Sequence, residues 1–407
     1  MAKDYTFKNT IPIAPLRIVA MDSCKEFGAA VDAHIVRFRK NDEEILKKRE
    51  SNVKFRGYDR DSYLVQASCP RFGSGEAKGI LHESVRGSDL WIITDVMNYS
   101  LTYQMYGRTH RMSPDDHYQD MKRIIAIAST SARRINVVLP FLYESRQHKR
   151  SQRESLDCAM ALEELAGMGV TNIVTFDAHD PRVQNAIPYH DFDNFLAVYQ
   201  FMKTMLEADE TLQLDREHLM IISPDEGAMH RAVYLANILG VDMGMFYKRR
   251  DYSRIVNGKN PIVAHEFLGS DVSGKTVVII DDMIASGDSM LDTARELKER
   301  NAAKVVVCCT FGLFTSGFEV FDRAYERGDF DYVITTNLNY RKPELLSKPW
   351  YLEADMTKYV ATIINTLNHD VSLGDVISPT EKIQQKVNEY RDKYMRADRE
   401  SERELDR

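Results

Sequence analysis

Short apolar runs recur along the chain, with helix-like or loop segments between them. The runs are LWIIT (90–94), INVVLPF (135–141), NIVTFD (172–177), LMIIS (219–223), VVIIDD (277–282), KVVVCCTF (304–311) and YVITT (332–336). Their hydrophobicity is continuous rather than alternating. That suits strands buried on both faces, and hence parallel sheets covered by helices. Between them, ESLDCAMALEELAGMG (154–169) sets Leu156, Met160, Leu162 and Leu165 near a helical period, and SMLDTARELKERNA (289–302) does the same with Met290, Ala294 and Leu297. Alternating strand and helix predicts an α/β architecture.

The strands fall into two groups, before residue 180 and after residue 215, joined by a stretch (189–219) that reads as one helix and a link. At 407 residues the chain is too long for one ordinary core and suggests two or three domains, and the two groups of strands make two α/β domains the expectation. PDDHYQ (114–119), following YGRTH, reads as a surface insertion. Beyond 380, Ile383, Val387, Tyr390 and Tyr394 form one helical stripe ahead of unbroken charge. A peripheral helix with a solvated end is the plain reading, and a partner-binding helix the other.

Composition narrows the class. Apolar residues make up 43% and charged residues 28%, as in a globular protein, and the net charge of −7 argues against a general nucleic-acid binder. No apolar run is long enough to span a bilayer. The opening MAKDYTFKNTIPIAPL lacks the pattern of a signal peptide, so a cytoplasmic location is expected. Cys24, Cys69, Cys158, Cys308 and Cys309 form no CxxC pair and read as reduced thiols.

The chemistry concentrates in VVIIDDMIASGDSM (277–290). In an open parallel sheet, ligands bind beyond the carboxyl ends of the strands, which is where Asp281 and Asp282 fall. Ser286, Gly287, Asp288 and Ser289 follow at the start of a helix, whose free N–H groups and dipole attract anions. A phosphate sits poorly beside bare carboxylates. The conflict disappears if the acids meet ribose hydroxyls or Mg²⁺ while the loop holds the phosphate, so a sugar phosphate is the expected ligand. Acids that merely cap the helix are the structural alternative.

A hydrophobic strand, Asp-Asp and a small-residue loop resemble the phosphoribosyl-pyrophosphate motif of the type I phosphoribosyltransferase fold. FGSGEAKGILHESVRGSDLWII (72–93), INVVLPFLYESRQHKRSQRES (135–155), VTFDAHDPRVQ (174–184), SPDEGAMHRA (223–232) and YKRRD (247–251) narrow the resemblance to the ribose-phosphate diphosphokinase family. DMTKYVATIINTLNHDVSLGDVI (355–377) is similar to that family's closing helix, which returns to complete the first domain. The resemblance implies two tandem phosphoribosyltransferase-like domains. An ATP-side domain (1–192) would be completed by about 360–378, and a ribose-phosphate-binding domain (193–359) would precede a charged helical tail (379–407).

It also implies the reaction: diphosphoryl transfer from ATP to the 1-hydroxyl of ribose 5-phosphate, giving PRPP and AMP for nucleotide biosynthesis. Such a transfer depends on positioning and charge neutralisation. By matching position, Asp281, Asp282, Ser286, Gly287, Asp288 and Ser289 would hold ribose 5-phosphate. His179 and Asp225 would position Mg²⁺, and Lys248 and Arg250 would be catalytic, closing over the transferring phosphates. Arg146 and Gln147 would contact ATP, and Phe72 and Glu76 would reach the adenine from a neighbouring subunit of a homo-oligomer. No nucleic-acid or membrane partner is expected.

The sequence departs from the family in places. Its loop carries Ala285 where the family has a third acid, and its Gly and Asp are exchanged. Ser74 replaces an acid, and His148 replaces an Asp. Additions lie near 40–60, around 105–118 and at the end. These leave open two alternatives: a non-catalytic nucleotide-binding or regulatory paralogue, and a PRPP-consuming phosphoribosyltransferase.

Overall fold

The structure, a computed structural model, describes residues 10–48, 55–250, 262–376 and 380–390. The chain folds into two compact units. The first comprises Met1–Ala197, Asn337–Tyr340 and Asp355–Ile377, and the second Val198–Thr336, Arg341–Ala354 and Ser378–Arg407.

The first unit contains β1 (Leu16–Ala20), a short ribbon of β2 (Ala67–Ser68) and β3 (Ile80–Leu81), β4 (Asp89–Ile93), a hairpin of β5 (Thr102–Met105) and β6 (Arg108–Arg111), β7 (Arg134–Leu139), β8 (Asn172–Phe176) and β9 (Asp191–Phe195). Its main sheet has the order β1-β4-β7-β8-β9 and is parallel throughout. Every residue of β4 and β8 is buried, as continuous hydrophobic runs require. The helices are α1 (Lys25–Lys48), α2 (Pro114–Ala128) and α3 (Asp157–Gly167).

Two expectations are corrected here. PDDHYQ is not a surface insertion but the first turns of α2. Ser113 Oγ accepts the Asp116 N–H at 3.2 Å and the Asp116 carboxylate accepts the Ser113 N–H at 2.9 Å, a capping box, while His117 and Tyr118 are buried. In YGRTH, Tyr106 to Thr109 are exposed around the turn of the β5–β6 hairpin. On α3, Met160 is 58% exposed, and Cys158 and Ala161 are buried with Leu162 and Leu165, so the packed stripe is rotated from the one expected.

The second unit holds β10 (Leu219–Ser223), β11 (Asp242–Arg250), β12 (Ile262–Leu268), β13 (Thr276–Ile284), β14 (Lys304–Gly312), β15 (Tyr332–Thr336) and β16 (Tyr351–Ala354). Its helices are α4 (Val198–Ala208), α5 (Met229–Leu239), α6 (Asp288–Glu299), α7 (Glu319–Glu326) and α8 (Pro343–Leu346). Sheet order is β12-β11-β10-β13-β14-β15-β16, parallel except for the antiparallel β11–β12 pair. Val277, Ile279, Val305, Val307, Met290, Leu297, Phe321 and Trp350 lie in one buried core. Residues 380–390 are helical with Ile383 and Val387 buried, whereas Tyr394 lies outside the described residues.

After β16 the chain returns to the first unit as α9 (Thr357–Asn368). Buried Arg39 on α1 donates to Asn365 and Asn368 at 3.0 and 2.6 Å, and Asn368 donates to Asp89 at 2.8 Å. Arg134 pairs with Asp89 at 2.7 Å. All five cysteines are free. No helix of the described residues is long and apolar enough to cross a membrane.

Candidate active site

In the second unit the chain leaves β10 through α5 towards β11 on one side, and leaves β13 through α6 towards β14 on the other. The boundary between β10 and β13 is therefore a topological switch point, where the loops beyond the strand ends diverge and leave a crevice. The segments 223–228 and 281–289 border it.

The strand β13 runs on through Asp281 and Asp282 to Ile284, past the end expected at the acids. The two carboxylates are not equivalent. Asp282 is buried, and its Oδ2 lies 3.6 Å from Nη2 of Arg231, whose own side chain is 2% exposed. Arg231 also donates to the Gly227 carbonyl at 3.3 Å. Asp281 is part-buried, and its Oδ1 accepts the Asp282 N–H at 2.8 Å. Burial, then the charge of Asp282 and a hydrogen bond with it, push the Asp281 carboxyl well above the usual carboxylate range, against the pull of Arg231.

Beyond the strand, Gly287 takes φ +93° and caps α6, and a Cβ there would collide with the Phe321 ring. Only glycine fits, which draws the loop into a tight turn over the first N–H groups of α6. Ser286 and Gly287 lie in the turn, and Asp288 and Ser289 are exposed on the first turn of α6. Ser286 Oγ donates to Asp288 Oδ2 at 3.0 Å. Across the switch point, Asp225 Oδ1 accepts the N–H groups of Gly227 and Ala228 at 2.9 and 3.3 Å, holding its carboxylate at the strand edge. Lys248 and Arg250 lie on β11, with their backbones in register with His265 and Ile262. They sit in the strand rather than at a loop start, and their side chains lie outside the described residues.

In the first unit, β7 and β8 are adjacent and parallel, and their following segments meet. Glu144 and Asp177, just beyond the two strands, adopt φ of 56° and 45°, a region that non-glycine residues seldom occupy. Asn194 Oδ1 accepts the Ala178 N–H at 2.9 Å and so orients the turn that carries His179. The His148 and His179 ring centroids are 5.3 Å apart, and His148 Nε2 lies 3.6 Å from Asp180. The hydrogen bond from Arg182 holds the Asp180 carboxyl well below the usual carboxylate range. Arg146 is exposed, while Gln147 Nε2 donates to the Ser155 carbonyl at 2.9 Å. Phe72 and Glu76 stand on an exposed loop closed by Phe72 N–H to Glu76 O at 2.7 Å.

A cavity of about 730 Å³, lined by Asn172, His190, Asp193 and Leu367 among others, opens where β8 and β9 begin, at the edge opposite these groups. Arg231, which pairs with Asp282, and Asn194, which orients the turn bearing His179, are the residues that reading the sequence missed. Arg231 stands inside SPDEGAMHRA, six residues after Asp225, and that spacing from strand end to helix was its only signal.

Among the described residues no group of three or more His, Cys, Asp or Glu side chains could hold a metal ion. Asp225 does suit a hard cation that keeps its waters and takes phosphate oxygens. Mg²⁺ usually binds that way, through one or two carboxylates plus substrate.

Both halves of the chain resemble known proteins. Residues 16–169 match the family described as the N-terminal domain of ribose phosphate pyrophosphokinase, and residues 196–329 match the phosphoribosyl transferase domain. The ribose-phosphate pyrophosphokinase of Vibrio parahaemolyticus is 28% identical over 314 residues, covering 76% of this chain and 90% of that protein. That of Ralstonia nicotianae is 28% identical over 256 residues, covering 62% and 72%. The crystal structure of phosphoribosylpyrophosphate synthetase from Mycobacterium smegmatis matches with a TM-score of 0.65 at 20% identity, over 87% of this chain and 99% of that one, and so shares the fold. By its matches in both halves and in the same order, the chain belongs to the ribose-phosphate pyrophosphokinase family.

Proposed function

We propose that the protein is a ribose-phosphate diphosphokinase that transfers the diphosphoryl group of ATP to the 1-hydroxyl of ribose 5-phosphate, releasing AMP. The observation that carries this reading is the glycine-tightened loop 285–289 at the switch point, with Asp281 beside it and Asp282 anchored on Arg231. A helix start and a partly open carboxylate together suit a pentose that bears a phosphate.

In this reading the N–H groups of the first turn of α6, with Ser286, Gly287 and Ser289, hold the 5-phosphate. Asp281 accepts ribose hydroxyls, and Asp282 with Arg231 keeps it in place. Arg146, Gln147, Phe72 and Glu76 in the first unit bind ATP. His179 and Asp225 are the Mg²⁺ contacts that the resemblance implies. The ion would neutralise phosphate charge and orient its oxygens for transfer. Lys248 and Arg250 supply further positive charge to the transferring group, a role assigned from the YKRRD resemblance. A homo-oligomer with the nucleotide site shared between subunits, in the cytoplasm, completes the proposal.

Ala285 favours a second reading, a non-catalytic nucleotide-binding paralogue, because a methyl group cannot replace the family's third acid. Incubation with Mg·ATP and ribose 5-phosphate separates the two. The diphosphokinase gives AMP and PRPP in equal amounts, and the Asp225→Ala protein gives neither. ATP binding without either product would select the paralogue.

A further inference from the structure

The β5–β6 hairpin overlaps the stretch around 105–118 that the resemblance marks as an addition, and it packs on the loop that bears Phe72. Tyr106 N–H at the hairpin tip donates to the Gly73 carbonyl at 2.9 Å. Gly75, at φ +95°, leaves space that the tip fills, since a Cβ there would lie 2.5 Å from Met105 Sδ. The loop is closed on itself by Gly75 N–H to Phe72 O at 2.9 Å, and Ser74 Oγ donates to Glu76 Oε2 at 2.9 Å. Tip and loop are thus one fixed surface within the first unit.

Two large aromatic side chains stand open on that surface, Phe72 at 52% and Tyr106 at 81% exposure. Neither the turn nor the core accounts for Tyr106. With Tyr106 at φ 48° and Gly107 at φ 72°, the hairpin has the type I′ geometry that favours Asn, Asp or Gly at the first position. An aromatic residue there is held in a disfavoured backbone region while its ring packs on little. Such an outlier points towards function.

We infer that Tyr106 is a second aromatic platform for the base of the donor nucleotide, which stacks on Tyr106 as well as on Phe72 while Glu76 meets its edge. This rests on the proposal that Phe72 and Glu76 contact adenine. Stacking on an aromatic face is tolerant of the base, whereas a carboxylate accepts hydrogen bonds only from donors. Tyr106 therefore sets affinity for purine nucleotides in general, and Glu76 discriminates among them.

The test is calorimetric titration of the full chain with Mg·ATP, comparing Tyr106→Asn, Tyr106→Trp and Phe72→Ala with the unaltered protein. Asn suits the first position of this turn, so Tyr106→Asn removes the ring and keeps the hairpin. The expected result is about tenfold weaker ATP binding, the scale of one lost base–aromatic stack, recovered by Tyr106→Trp. Mg·GTP should weaken by the same factor. If Tyr106→Asn binds ATP as the unaltered protein does while Phe72→Ala does not, the second platform is wrong and the adenine loop stands. If both bind as the unaltered protein does, the adenine contact itself falls. Weakening that Tyr106→Trp does not restore would reduce the residue to a structural one and overturn the inference.

Discussion

Asp288 brings a carboxylate into the loop proposed to hold the 5-phosphate. It accepts the Ser286 hydroxyl at 3.0 Å on the exposed first turn of α6, so an incoming phosphate meets negative charge and a hydroxyl already engaged. At a surface position this repulsion is on the order of 1 kcal/mol. Asp288→Gly is therefore expected to lower the KM for ribose 5-phosphate several-fold, with a gain that shrinks as salt is raised. A raised KM would instead mean that the carboxylate touches the sugar, supplying from a new position the acid that Ala285 lacks. Arg231 carries a second prediction. Removing one partner of a buried ion pair leaves the other uncompensated, so Arg231→Met should destabilise the chain by about 3 kcal/mol in urea unfolding. Much of that loss should return in the Arg231→Met/Asp282→Asn double variant. Asp281 and Asp282 were legible as a pair because two like charges side by side end an apolar run. Their separate roles were not, because burial and the guanidinium of another element decide which acid faces outward.

Elements show the same division. All seven apolar runs are strands, since only a sheet covered on both faces hides such continuous hydrophobicity. The edge strand β9 escaped notice because DFDNF mixes charge with aromatics and its residues are exposed or half-buried, so its pairing with β8 supplies what the pattern lacks. The capping box of α2 was present in SPDD but was hidden by the polar run around it. At the end of α9, buried His369 meets Thr10 Oγ1 at 3.0 Å and the Tyr58 hydroxyl at 3.3 Å. Burial first, and then the charge of Arg39, lower its pKa to about 3. The unfolded chain takes up a proton near the ordinary value of about 6.5, where the folded chain does not. The stability this residue provides is thus intact above that value and is lost as pH falls towards the folded pKa, by ~1.4 kcal/mol per unit. Urea midpoints measured between about pH 7 and pH 5 should fall less steeply in His369→Gln than in the unaltered protein. Equal slopes would remove His369 from the pH response.

At the scale of the whole molecule, the first unit is closed by a helix that the chain delivers only after building the second. Asn368 bridges Arg39, Asp89 and the Ala14 carbonyl, so losing it strands several buried polar groups at once. A chain cut after Ala354 is expected to lose the cooperative thermal transition of the first unit by circular dichroism; its survival would show that α9 is dispensable. The sequence alone determined that there are two α/β units, seven of the strands that line them, and that a glycine-bearing loop and a helix follow Asp282. These are local properties of hydrophobic period, turn chemistry and charge. Tertiary structure decided that β10 and β13 are neighbours at the switch point, that Arg231 neutralises Asp282, and that the β5–β6 tip supports the Phe72 loop. Each joins residues distant along the chain, and such pairings are fixed by sheet order and burial, which no short stretch of sequence contains.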